Sequence, residues 1–160
     1  MALTKIGDAG MPAGAVLQVK QYRKTALFTS SSTSFVDVTD FELDITPSST
    51  SSNILIICNL LCHHDSNLQD EFRLQRKIGS GSFATFGSVP SDRVMFTSGY
   101  YGSGTSSTAN LTFLDSPATT DTVTYKLQFR TRQSQTFVLN DDWNSDDAGI
   151  SVMILQEIAG

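Results

Sequence analysis

Cys58, Cys62, His63 and His64 fall within one short stretch and hold every cysteine and histidine of the chain, so metal chemistry is the first reading to weigh. Zinc needs several such groups converging on one ion. Along an extended strand Cys58 and Cys62 share a side but lie four residues apart at about 3.3 Å per residue. That is beyond disulfide reach, and no second ligand pair of finger-like spacing follows. The expectation is two reduced core thiols followed by turn histidines, with no metal. A second candidate, Asp141-Asp142-Trp143-Asn144-Ser145-Asp146-Asp147, places oxygen ligands at Asp142, Asn144 and Asp146. A calcium loop of the EF-hand type would want glycine at Asp147 and glutamate at Met153. A solvated acidic loop is therefore favoured over a loose calcium site. Gly79-Ser80-Gly81-Ser82-Phe83-Ala84 matches a dinucleotide fingerprint in form only, because no helix start follows to present amides to a pyrophosphate. It reads as a hairpin turn.

For nucleophilic catalysis the chain offers no GxSxG elbow, and its two histidines are adjacent, so on a strand they point to opposite faces. Paired glycosidase carboxylates have no spacing in sequence to read. The expectation is a protein that is not an enzyme and carries no cofactor. Asn110-Leu111-Thr112 forms a glycosylation sequon by pattern, but inside an expected strand. Two segments have recognition chemistry instead. Ser98 to Thr105 presents Tyr100 and Tyr101 among glycine and serine, either as a binding loop or as a tip with packed tyrosines. Trp143 would offer a sugar a stacking surface or lid one end of the domain.

These residues must be positioned by a chain of 160 residues, long enough for one domain with a sizeable core. The net charge of −5, with only 17% charged residues, argues against phosphate neutralisation and so against a nucleic-acid partner. The first residues lack an apolar leader core, and no segment approaches the ~18 apolar residues of a membrane span. No membrane insertion is expected.

The clearest element begins at Val123, where Val123, Tyr125, Leu127 and Phe129 alternate with Thr124, Lys126, Gln128 and Arg130. That two-residue period is a strand, entered through the turn-forming Asp115-Ser116-Pro117. Phe41, Leu43 and Ile45 alternate with Glu42 and Asp44, and Phe72 and Leu74 with Arg73 and Gln75. Repeated short strands between Ser, Gly and Pro turns predict an all-β protein, an antiparallel sandwich or jelly roll of about 8–10 strands. Residues 1–14 read as an N-terminal arm and 15–160 as the β-domain. Two stretches are apolar on both sides. In Ile54 to Cys62, the residues Ile54, Ile56, Cys58, Leu60 and Cys62 face one way and Leu55, Ile57 and Leu61 the other. In Ile150 to Ile158, Ile150, Val152 and Ile154 are assigned to the core, and Met153 and Leu155 to the second face. A lone two-layer sandwich hides one face only, so Leu55, Ile57, Leu61, Met153 and Leu155 are expected at a homo-oligomer interface. A covering loop is the alternative.

At this level the whole chain resembles the small β-domains of marine tailed bacteriophage virion proteins, found in tail fibres and on particle surfaces. The residues carrying the resemblance are Met11 to Val19, Ile45-Thr46-Pro47-Ser48 through Ile56, Leu114-Asp115-Ser116-Pro117 with Thr124 to Gln128, and the ending Ile150 to Ile158. The resemblance implies a jelly roll similar to tumour-necrosis-factor and C1q domains, usually a homotrimer, located on the virion after synthesis in the host cytoplasm. It further implies attachment to other virion proteins through the arm, with Met1, Leu3, Ile6 and Met11 as docking residues. Host-surface glycan would then be met by Tyr100, Tyr101 and Trp143. No shaft or heptad repeat is present, which favours a decoration or short tip protein over a long fibre. A stand-alone carbohydrate-binding module and a capsid-stabilising cement protein are the alternatives.

Overall fold

The computed structural model describes residues 11–64, 70–86, 96–97, 105–132, 136–141 and 149–160. Among them are eleven strands and no helix. In chain order they are β1 (Val16–Lys24), β2 (Phe28–Ser30), β3 (Val36–Ile45), β4 (Asn53–His64), β5 (Asp70–Ile78), β6 (Ala84–Thr85), β7 (Phe96–Thr97), β8 (Thr105–Asp115), β9 (Val123–Thr131), β10 (Phe137–Leu139) and β11 (Ser151–Ile158). Two antiparallel sheets form a jelly-roll sandwich, as expected. One is organised on β4, with β8 on one flank and β11 and β10 end to end on the other, extended by β1 and β2. The other runs β3-β9-β5, with β6 and β7 both paired to β5. Four of the eleven, β2, β6, β7 and β10, are pieces of only two or three residues.

Alternation explains the core. Ile54, Ile56, Cys58, Leu60 and Cys62 of β4 face Val123, Tyr125, Leu127 and Phe129 of β9, and all are fully buried. Each such side chain contributes about 1.5–3 kcal/mol by leaving water. One end of the core is aromatic. Phe129 stacks on Phe137 at 4.2 Å between centroids, Phe72 meets both rings at 5.5 and 5.7 Å, and Phe28 meets Phe129 at 6.2 Å. The polar side of β9 is not open to water: Thr124, Lys126 and Gln128 are buried under neighbouring side chains.

Met153 and Leu155 correct an expectation. Both are fully buried in the core, while Val152 and Ile154 take the outer face and Ile150 is exposed. The reason is that β11 also turns Ser151 and Glu157 inward, each to a specific partner. The Ser151 hydroxyl donates to Asn140 Oδ1 (2.6 Å) and accepts from the Leu61 amide (3.1 Å). Asn140, at φ +67°, donates from Nδ2 to the Lys24 and Ala26 carbonyls and so closes the break where β1 and β10 give way to β2 and β11. Glu157 accepts from Gln18 Nε2 (2.6 Å) and from the amide and hydroxyl of Ser48 (both 2.7 Å). Two further readings also change. The histidines end β4 rather than forming a turn, with His63 buried, and β8 begins at Thr105, within what reads as a loop. Gly79 to Ala84 is the expected turn, entering β6 with Gly79 at φ +52°.

The Glu157 cluster predicts a pH effect. Burial alone raises this carboxyl's pKa, but the Gln18 and Ser48 hydrogen bonds outweigh it and hold it below the ordinary carboxylate range. A depressed folded-state pKa contributes stability above the unfolded value of about 4.3, lost as pH falls through the folded value. Urea midpoints of wild type and Glu157→Gln should differ at pH 7 and converge toward pH 3. An equal gap at both values would refute this linkage.

Candidate functional site

The outer face of the β4 sheet is built by register. Ile57 sits at its centre, opposite Thr112 of β8 on one side and Ile154 of β11 on the other. Leu55 lies opposite Leu114 and Gln156, and Val19 and Val16 of β1 continue the surface opposite Gln156 and Ile158. Leu55, Ile57, Val152, Ile154 and Ile158 are half-buried, while Leu114, Val19 and Val16 remain 54%, 55% and 48% exposed. Among the described residues of β1, β4, β8 and β11, the charged side chain whose register places it on this face is Arg23, at the rim opposite Val152. Contiguous exposed apolar patches are uncommon on monomeric proteins and in general mark contact sites.

The expected interface residues therefore divide. Leu55, Ile57 and Leu61 lie on the outer face, and Met153 and Leu155 do not. Leu61 is partly covered already: a Cβ on Gly149 would come within 1.8 Å of its Cδ2, so the chain before β11 packs over it. Val152, Ile154, Leu114 and Val19 belong to this face and were not expected there. The alternation of β8 was the available signal for Leu114. Met11 is 37% exposed and lines a cavity of about 320 Å³ with Leu17, Ser48 and Ala159. Met1, Leu3, Ile6, Tyr100, Tyr101 and Trp143 lie outside the described residues.

The opposite face, on β3, β9 and β5, is a charged lattice. Asp37 accepts from Lys126 Nζ (2.8 Å) and Gln128 Nε2 (2.7 Å), and Arg73 Nε donates to Gln128 Oε1 (2.7 Å). Glu71, fully buried, accepts from Arg130 Nε at 2.5 Å and from Arg132 Nε. Two rings lie under the cations. Phe35 carries Arg73 and Arg130, and Phe83 carries Lys126 and Lys77.

Among the described residues no group of three His, Cys, Asp or Glu side chains could hold a metal, and burial pushes the Cys58 thiol up to about 12, leaving it protonated.

No protein-family model and no curated protein matches the chain. Solved structures do. One chain of the T13 infectious bursal disease virus particle is 10% identical, with 91% of this chain and 37% of that chain covered at a TM-score of 0.50. The VP2 subviral particle of the same virus gives 13% identity, 91% and 39% coverage and 0.48. A structure of its Gx strain gives 13%, 98%, 47% and 0.48. The shared feature is the fold, a two-sheet jelly-roll sandwich. This chain spans less than half the length of those it matches.

Proposed function

We propose that the chain is a non-enzymatic structural protein of a virus particle, assembling with copies of itself through the outer face of the β4 sheet. The observation that carries the self-association is the contrast between the two outer faces. One is a hydrogen-bonded lattice of charge suited to water, and the other is an apolar stripe from Val19 through Ile154 and Ile57 to Leu114. In a molecule of net charge −5, that stripe is where two copies meet without opposing like charges. The likeness to a chain of the infectious bursal disease virus particle supports the virion setting, as does the resemblance to tailed-phage surface domains. In its narrower form the reading is a trimeric decoration or tip protein of a bacteriophage. Its arm, including Met11, docks on other virion proteins, and its exposed surface meets the host.

Analytical ultracentrifugation at micromolar concentration should give three copies. A monomer would remove the assembly. An antibody raised against the chain should label intact purified particles of the virus that encodes it in immunogold microscopy, and unlabelled particles would remove the virion role.

A further inference from the structure

We propose that the Phe35 end of the charged outer face binds an anionic polysaccharide carrying sulfate or carboxylate groups. The virion reading supplies its setting, the contact with a host surface, and the arginine geometry supplies its chemistry.

Arg73 and Arg130 bring their guanidinium carbons to 4.0 and 4.5 Å from the centroid of the same Phe35 ring. Two cations on one ring repel each other. Burial, together with the charge of Arg130, lowers the Arg73 pKa from the usual arginine range. The neighbouring side chains hold the arrangement in place. Arg73 is fixed through Nε by Gln128, and Arg130 and Arg132 are fixed through Nε by the two oxygens of Glu71. Each arginine is thus anchored by its inner nitrogen. Among the described residues no hydrogen bond engages the Nη atoms of Arg73, Arg130 or Arg132. The Nη pair of a guanidinium is the fork that takes two oxygens of a carboxylate or sulfate.

Local charge points the same way. Arg73, Arg130, Arg132 and Lys126 face three carboxylates: Glu71 and Asp37, both already engaged, and Glu42, the cross-strand neighbour of Lys126. An excess of positive charge therefore sits in a chain whose total is −5. A nucleic acid would bring one charge per about 1.7 Å of duplex against that acidic remainder. A polysaccharide brings isolated anions on an otherwise neutral polar chain. That suits three forks set beside Gln75, whose amide can meet hydroxyl groups.

The test uses the full chain and four immobilised probes: heparin for sulfate, polygalacturonate for carboxylate, dextran as a neutral polymer, and a single-stranded DNA oligonucleotide. Retention on heparin or polygalacturonate should fall as salt rises, with none on dextran. Arg73→Gln should weaken it about tenfold, with an unchanged circular dichroism spectrum. Arg73→Lys, which keeps the charge and loses the fork, should fall between. Equal retention on dextran, tighter binding to DNA than to either polysaccharide, or wild-type binding by both Arg73→Gln and Arg132→Gln would overturn the site. A protein that labels virions but ignores both anionic polymers loses this site and keeps its structural role. One that binds them but labels no particle keeps the site and loses its setting.

Discussion

Asp115→Ala should lower stability by about 3–5 kcal/mol, the effect of removing one partner from a buried ion pair. Asp115 ends β8 in one sheet and is 5% exposed, yet among the described residues its carboxylate is held by side chains of the other sheet. Arg76 Nη1 of β5 donates to its two carboxylate oxygens at 2.7 and 2.6 Å, and the Tyr125 hydroxyl of β9 donates to Oδ2 at 2.7 Å. Arg76 and Tyr125 are cross-strand neighbours, and Phe86 closes over both, its ring 5.6 Å from that of Tyr125 and 5.2 Å from the Arg76 guanidinium. Burial raises the Tyr125 pKa, and the bond to Asp115 adds to the rise, so the hydroxyl stays protonated and donating. Alanine leaves a guanidinium and a phenol facing an apolar layer with no acceptor, which costs more than the lost attraction itself. Urea unfolding should show a lower midpoint with an unchanged slope, and heating a fall in Tm on the order of 10 °C. Asp115→Asn keeps one acceptor and should fall between. A loss below about 1 kcal/mol would mean that the group behaves as an ordinary surface pair.

Ile57→Asp and Leu155→Asp should fail in different ways. Ile57 is half-buried on the outer face, so a carboxylate there reaches water in the isolated chain but not between copies. Ile57→Asp should give a folded monomer, with a sedimentation coefficient that drops to the single-chain value and a wild-type β spectrum. Leu155 is fully buried against the core, where an unpaired carboxylate has no partner, and Leu155→Asp should abolish folding. An Ile57→Asp protein of unchanged mass would show that this face is not the interface. A folded, dissociated Leu155→Asp protein would show that the inward assignment of β11 is wrong.

The same strand shows how far the residues could be read in order along the chain. In β9 the alternation Val123, Tyr125, Leu127, Phe129 is unambiguous, because one side is apolar and the other is not, and the structure buries the expected side. In β4 both sides are apolar, and the longer, continuous row was assigned inward correctly. In β11 the two rows are equally apolar, and the decision was made by contacts with residues far away in sequence. Ser151 is drawn inward by Asn140, and Glu157 by Ser48 and Gln18. A serine and a glutamate read as solvent-facing until their partners are known. The arginine cluster was missed for a related reason, since Phe35, Arg73 and Arg130 sit on three separate segments and meet only across β5 and β9.

Period and composition by themselves determined that this protein is all-β, that its turns lie at serine, glycine and proline clusters, and that it has more apolar strand surface than a two-layer sandwich can hide. Only the tertiary structure decided which side of β11 is inside, which face is left apolar, and which cations share a ring. The physical reason is that alternation states which residues point together but not in which direction. The direction follows from hydrogen bonds and packing across the sheet, where the partners are tens of residues away.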